Sequence, residues 1–111
     1  MRQFMTAAVE QRKDFTDAFA THPMEAGWAG EALFFITAEK VSGDAPLLSA
    51  KVQVSVDGVN WLDEGTEFPP ISRPGHYFVR VHHFGGWLRL HCGIAGSGSV
   101  FNLTVHLVLK E

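Results

Sequence analysis

Hydrophobic and polar residues alternate with a period of two along much of the chain, and the alternation is longest between Leu48 and Asp57. Every second residue there is apolar and the positions between are mostly polar, as in a strand with one buried face. The segment runs into Asp57-Gly58-Val59-Asn60, where Gly supplies a positive φ and the Asp and Asn side chains can bond nearby backbone. The pattern therefore predicts a half-buried strand that reverses into Trp61.

Four further segments predict strands. Glu31–Val41 is apolar on both faces near its start, and alternation returns in His76–Phe84, Trp87–Ile94 and Phe101–Lys110. The intervening segment Glu67–Gly75 holds three prolines. Prolines cannot donate to a sheet ladder, so this segment is expected at a sheet edge or in a crossover between layers.

Residues 1–29 carry a weaker pattern. Their apolar residues fit helical spacing as well as extended structure, and Phe, Thr and Asp are poor helix formers, so an extended arm is favoured. One Pro and two Gly in residues 22–30 predict a loop that follows the arm. The expected organisation is an N-terminal arm and loop over 1–29 and a β-sandwich domain over 30–111.

The Gly85-Gly86 pair is a two-residue hairpin signal between His76–Phe84 and Trp87–Ile94. A hairpin closed there would give one sheet face that is both basic and aromatic, a composition typical of protein interfaces. An ordinary outer sheet face is the alternative interpretation. The predicted partner-binding residues on this face are Phe78, Arg80, His82, Phe84, Trp87, Arg89 and His91.

The chain also shows an internal similarity. Laying Gly43 on Gly96 also lays Leu48 on Phe101 and Val56 on Leu109. In each copy an apolar strand, a small-residue loop and an alternating strand follow one another, which predicts two similar hairpins that face each other. Two such layers form an antiparallel β-sandwich, either jelly-roll or immunoglobulin-like, so the predicted fold class is all-β.

Composition limits the classes of function. Of 111 residues, 46% are hydrophobic and only 19% are charged, and nine Phe and three Trp exceed what one small core readily encloses. This surplus predicts surface that a protein partner covers. The net charge of −3 is not the basic excess of a nucleic-acid-binding domain, so no nucleic-acid partner is expected.

The N-terminal residues contain no apolar run of signal-peptide length, and no segment approaches the ~20 apolar residues of a membrane helix. We therefore expect a soluble protein made in the cytoplasm, without a signal peptide or a membrane partner. Cys92 is the only cysteine and cannot form an intrachain disulfide.

No constellation of residues predicts catalysis, a cofactor or a metal site. His82 and His83 are strand neighbours that point to opposite faces, as are His91 and Cys92, so neither pair can chelate a metal. The acidic and amide residues near Asp57 are the ordinary residues of a turn. An enzyme is accordingly the least expected class.

Three stretches of the chain resemble a group of small β-sandwich structural proteins of tailed bacteriophages and prophages. The stretches are GEALFFITAEKVSGDAPLLSAKVQVSVDGVNWLDEGTEF, GHYFVRVHHFGGWLRL and FNLTVHLVLK, and together the resemblance covers about residues 30–111. The shared features are turn and core patterns: a V-S-G-x-x-P-x-L turn, an S-x-D-G-x-x-W hairpin and a closing F-x-L-x-V-x-L-x-K strand. Residues 1–29 have no counterpart in the group.

The resemblance implies a non-enzymatic virion subunit, such as a capsid decoration protein or a head or tail accessory component. It would bind capsid or tail subunits of a repeating protein assembly, and a homo-oligomer is expected. The alternative is a carbohydrate-binding or adhesion module that uses the aromatic face around Trp87, because S-x-D-G-x-x-W hairpins also occur in discoidin-like sandwiches.

Overall fold

The computed structural model describes residues 3–82 and 85–111, and within them the chain folds into strands with no helix. No helix long and apolar enough to cross a membrane therefore occurs in these two ranges. The strands are β1 (Phe4–Phe15), β2 (Phe19–Ala20), β3 (Met24–Glu25), β4 (Glu31–Ser42), β5 (Leu47–Ser55), β6 (Leu62–Glu67), β7 (Gly75–Val81), β8 (Trp87–Ala95) and β9 (Val100–Lys110).

The strands form two antiparallel sheets. Sheet 1 has the order β1-β9-β4-β7, and sheet 2 has the order β2-β8-β5-β6 with β3 also paired to β8. When β2 and β3 are counted as one interrupted strand, the first strand (β1) pairs with the last (β9), and the interrupted strand pairs with the one before the last (β8). In the same way β4 pairs with β7, and β5 pairs with β6. This is the order of a jelly-roll, in which one long antiparallel ribbon is rolled into two facing sheets. The predicted all-β sandwich is confirmed.

The core lies between the sheets and is built from the inward positions of each strand. Strand β9 supplies Phe101, Leu103, Val105, Leu107 and Leu109, and all five are fully buried. Strand β5 supplies Leu48, Ala50 and Val52 from the opposite sheet. The alternation that predicted these strands therefore also identified which of their residues face the core.

The two predicted facing hairpins are wrong in their pairing. β4 pairs with β9 and β5 pairs with β8, so each glycine loop carries the chain from one sheet to the other. The loops meet at one end of the sandwich, where the Asp44 amide donates to the Ser97 carbonyl over 3.0 Å. A Cβ on Gly43, where φ is +114°, would lie 2.5 Å from the Ser99 Cα, so this close approach requires glycine. The internal similarity therefore relates the two loops that connect the sheets, β4 to β5 and β8 to β9, and not two hairpins.

Other predicted elements keep their positions. The chain reverses after β5 and pairs antiparallel with it as β6, as the turn residues predicted. The proline segment then crosses from sheet 2 to sheet 1, held to the edge of β5 by mutual backbone hydrogen bonds between Leu48 and Ile71 at 2.8 and 2.9 Å. Residues 4–15 are extended and pair along β9, with register shifts near Val9 and Arg12.

Candidate functional site

The predicted partner-binding residues do not share one face. Phe78 and Arg80 lie on β7 in sheet 1, whereas Trp87, Arg89 and His91 lie on β8 in sheet 2. The predicted hairpin across Gly85-Gly86 is therefore wrong, because β7 pairs with β4 and β8 pairs with β5. His82 follows β7 and is exposed, while His83 and Phe84 are outside the described residues.

The Gly-Gly pair serves a crossover instead of a turn. Gly86 has a φ of +74°, and a Cβ there would come within 2.3 Å of the Ser55 carbonyl oxygen. Its own carbonyl accepts a hydrogen bond from the Ala26 amide over 2.6 Å. Glycine therefore lets the chain pass close to the end of β5 as it enters sheet 2. Alternation indicates which side of a strand is buried but not which strand lies beside it, which explains the error.

The outer surface of sheet 1 carries a stripe of mainly apolar residues, with Thr6, His106 and Arg80 among them, that runs across all four strands. Pairing places Thr6, Val108, Leu33 and Arg80 in one row, and Ala8, His106, Phe35 and Phe78 in the next. We call these eight residues, with the neighbouring Phe4, the sheet 1 face. Phe4 and Phe78 are 66% and 49% exposed, so large apolar surface remains in contact with solvent.

Aromatic rings contact each other and an arginine on the β4 and β7 side of this face. The rings of Phe35 and Phe78 stack with centroids 5.5 Å apart. The guanidinium of Arg80 lies 5.3 Å from the Phe78 ring centroid, within range of a cation–π contact. Beside them, at one end of the sheet, Glu31, Leu33, Arg80 and Lys110 contribute to a shallow depression of ≈ 360 Å³.

The outer surface of sheet 2 is polar, and its side chains bond one another. Asp63 accepts hydrogen bonds from Lys51 over 3.2 Å and from Gln53 over 3.1 Å. Gln53 in turn accepts one from the Arg89 Nε over 2.9 Å, and the Arg89 guanidinium lies 4.3 Å from the Trp61 ring centroid. These five residues form what we call the sheet 2 chain.

Two acids on the sheet 2 side have a lowered pKa. Hydrogen bonds from Gln53 and then Lys51 lower the pKa of Asp63. The amides of Asn60 and Val59, followed by the Ser55 hydroxyl, lower the pKa of Asp57 well below its usual range. The hydrogen bonds to Asp57 and Asp63 favour their charged carboxylates, so both acids act as fixed anchors of the β5–β6 turn region. Burial lowers the pKa of the neighbouring Arg89.

A groove lies beside the sheet 2 chain. It has a volume of ≈ 330 Å³, and its lining includes the polar side chains of Lys51, Glu67 and His91 and the apolar Phe68 and Pro70. Gly93 also lines it, and a Cβ there would meet nothing within 4 Å, so the floor is open. The groove is a shallow, mainly apolar site with polar side chains at its rim.

Cys92 is buried on the inner side of β8, where burial and the charge of Glu10 raise the pKa of its thiol to about 12. A thiol in this state is a poor nucleophile. Within 3–82 and 85–111, no three His, Cys, Asp or Glu side chains converge on a position that could hold a metal ion.

Sequence reasoning missed the central residues of the sheet 1 face. For Leu33 and Phe35 the available signal is the doubly apolar pattern of Glu31–Val41, and for Val108 it is the run Leu107–Leu109, which interrupts the alternation of the last strand. Trp61 was also missed as a partner of Arg89, because their pairing depends on β5 lying between β6 and β8. Such contacts between distant parts of the chain leave no local pattern.

Comparisons with known proteins give similarity of fold only. No protein-family model matches the sequence, and no curated protein sequence matches it. A chain in the structure of infectious bursal disease virus Gx strain aligns over 100% of this chain at a TM-score of 0.62 and 9% identity. The present chain spans 32% of that viral chain.

Two other solved structures align over nearly their whole length. The SPBc2 prophage-derived protein YomS covers 100% of this chain at a TM-score of 0.58 and 8% identity, with 96% of its own length matched. The CBM36-1 domain of a multidomain xylanase from the hindgut metagenome of Trinervitermes trinervoides covers 96% of each chain at 0.55 and 10% identity. At such identities the likeness shows the sandwich fold, which viral, prophage and carbohydrate-binding chains share.

Proposed function

We propose that the protein is a non-enzymatic structural subunit of a phage-type virion, such as a capsid decoration or head or tail accessory protein. The observation that carries this proposal is the sheet 1 face, a mainly apolar stripe that crosses the sheet and leaves Phe4 and Phe78 exposed to solvent. Contiguous exposed apolar surface of this kind marks protein interaction sites. Its occupants would be protein subunits of a repeating assembly.

Adhesion is the mechanism. Covering apolar surface contributes ~25 cal/mol per Å² before the costs of association are subtracted. Rings that already stack, such as Phe35 on Phe78, lose little further freedom when a partner covers them. Many weak contacts of this kind add up when a subunit is repeated over a particle. The fold shared with a virus chain and with YomS is compatible with this role.

Co-purification with particles tests the proposal. Particles from cells that express the chain in its own genomic context are banded by density, and the chain is counted by quantitative mass spectrometry. We expect a fixed copy number per particle, and a loss of about tenfold or more for a Leu33→Gln/Phe78→Gln variant.

The matched control is Val56→Gln/Val59→Gln, which alters two apolar side chains that are 93% and 77% exposed in the turn after β5. This control should remain on the particles. Particles that lack the wild-type chain, or that carry the sheet 1 variant at the wild-type copy number, would contradict the proposal.

The second candidate function is carbohydrate binding in the groove of sheet 2. The observation that favours it is the lining of Lys51, Glu67 and His91 beside an apolar wall, since sugar hydroxyls need polar partners and sugar rings need an apolar surface. Trp87, the residue that the sequence suggested for this role, is half-buried over Gly58.

A glycan array separates the two functions. Saturable binding to one class of sugar that is lost in His91→Ala and kept in His76→Ala, on the opposite sheet, would favour the carbohydrate-binding module. The absence of binding to any glycan would remove this candidate.

A further inference from the structure

The two central strands of sheet 1 carry matching outward residues. Register sets Lys110 of β9 beside Glu31 of β4, Val108 beside Leu33, and Thr104 beside Thr37. A fourth pair, His106 beside Phe35, lies between the apolar pair and the threonine pair, and Thr104 is buried and accepts a hydrogen bond from the Arg12 amide over 3.0 Å. The charged pair has Lys110 on β9 and Glu31 on β4, so each strand carries one sign.

We infer that the sheet 1 face pairs with the same face of a second copy, related by a two-fold axis along the strands between β9 and β4. This inference rests on the proposed function, because it uses the same surface, and it names a second copy of the chain as the partner that covers that surface. The rotation lays β9 of one copy over β4 of the other, so Lys110 faces Glu31 of the second copy and Glu31 faces its Lys110. An isologous contact repeats every such pair twice.

The same rotation also matches shapes. Outer strand β1 comes to lie over β7 of the second copy, so the small side chains of Ala8 and Thr6 face Phe78 and Arg80. Val108 then faces Leu33 of the second copy, and the two form an apolar contact next to the charged pair of Lys110 and Glu31. Small residues opposite large ones are what interdigitated packing of two sheet faces requires.

The alternative two-fold axis, which runs across the strands, gives a poorer match. It reverses the ends of the sheet, so Lys110 and Glu31 would lie toward the Thr37 end of the second copy, where Arg12 and Glu39 also lie. Arg12 and Glu39 already pair with each other over 3.8 Å, so they would attract Lys110 and Glu31 less than these two attract each other. Charge complementarity therefore favours the axis that runs along the strands.

The available area is that of a weak but specific contact. Four strands about 4.8 Å apart and seven residues at about 3.3 Å each define a footprint of roughly 440 Å² per copy. Two copies and the relief of their side chains give about 1,000 Å², the lower limit of specific interfaces. A weak dimer is expected, with an affinity that repetition in an assembly would amplify.

Charge exchange tests this geometry. Sedimentation velocity over a dilution series compares the wild type with Lys110→Glu and Glu31→Lys. Each single variant should lose about tenfold or more of its self-association, because it places like charges opposite each other on both sides of the axis. An equimolar mixture of the two variants should associate about as well as the wild type, since every facing pair is then of opposite sign.

Three further variants serve as controls. The double variant Glu31→Lys/Lys110→Glu keeps opposite charges within and between copies, and it should self-associate like the wild type. Phe78→Gln should weaken the dimer, whereas Val59→Gln should not. Circular dichroism and thermal unfolding check that each variant is folded.

A wild type that stays monomeric at every concentration overturns the inference, and so does a mixture that associates no better than the single variants. If that happens while the chain still bands with particles, the sheet 1 face binds a different subunit and the proposed function stands. A dimer with the expected charge pattern and no particle association would instead support the inference and contradict the proposed function.

Discussion

The outer faces of the two sheets are built from strands with the same alternation, yet their outward residues are satisfied differently. On sheet 2, Asp63, Gln53 and Arg89 bond one another and Arg89 rests on Trp61. On sheet 1, the rings of Phe35 and Phe78 stack on each other, Arg80 lies over Phe78, and Phe78 stays 49% exposed. The polar groups of the sheet 2 chain therefore need no partner to satisfy them. A surface of uncovered apolar groups gains free energy when a partner covers it.

The largest expected effect separates the two sides of one strand. Phe34→Ala removes a fully buried ring from the core and should lower the free energy of unfolding by about 3–5 kcal/mol. Phe35→Ala, on the outer side, should cost about 1 kcal/mol or less in a dilute monomer, because its ring is only half-buried. Urea unfolding at low protein concentration measures both values. Equal costs would show that the sheet 1 face already belongs to the monomer core.

A matched pair of arginines probes the faces themselves. Arg89→Ala should cost about 1–2 kcal/mol, because it removes both the hydrogen bond to Gln53 and the cover over Trp61. Arg80→Ala loses a longer ring contact to Phe78 and should stay within about 0.5 kcal/mol. The same unfolding measurement compares them. The comparison between the faces fails if Arg80 proves the more costly of the two.

The smallest effect concerns acid pH. Asp57 and Asp63 have a pKa below the usual carboxyl value, so they stabilise the fold at pH above about 4. That contribution is lost as pH falls through their folded pKa values, because the unfolded state then binds protons more readily. Between pH 4 and pH 2, hydrogen exchange should therefore rise in β5 and β6 before it rises in β4 and β9. In Asp63→Asn this difference between the sheets should shrink, and simultaneous opening of both sheets in the wild type would refute the assignment.

The pattern of apolar and polar residues predicted the strands well, because the alternation of side chains is set by neighbouring residues within each strand. The alternation from Leu48 onward, the turn at Asp57-Gly58 and the prolines after Glu67 each correspond to an element with that role in the fold. The same reasoning failed at Gly85-Gly86 and at the two similar loops, since a glycine pair suits a tight hairpin and a close crossover equally well. Glycine at these positions permits a positive φ or a close approach of the backbone, but it does not determine with which strand the next segment pairs.

By itself, then, the amino-acid sequence predicted an all-β sandwich, the core-facing residues of β5, β8 and β9, and apolar surface beyond what one core encloses. Tertiary structure alone decided that β9 lies beside β4 and β8 beside β5, and therefore which outward residues share a surface. The reason is physical: side-chain alternation is set within a strand, whereas the choice of neighbouring strand depends on how the whole ribbon rolls to enclose its core. The candidate surface is a product of that second step, which brings Phe78 beside Phe35 and moves Arg89 to the opposite side of the molecule.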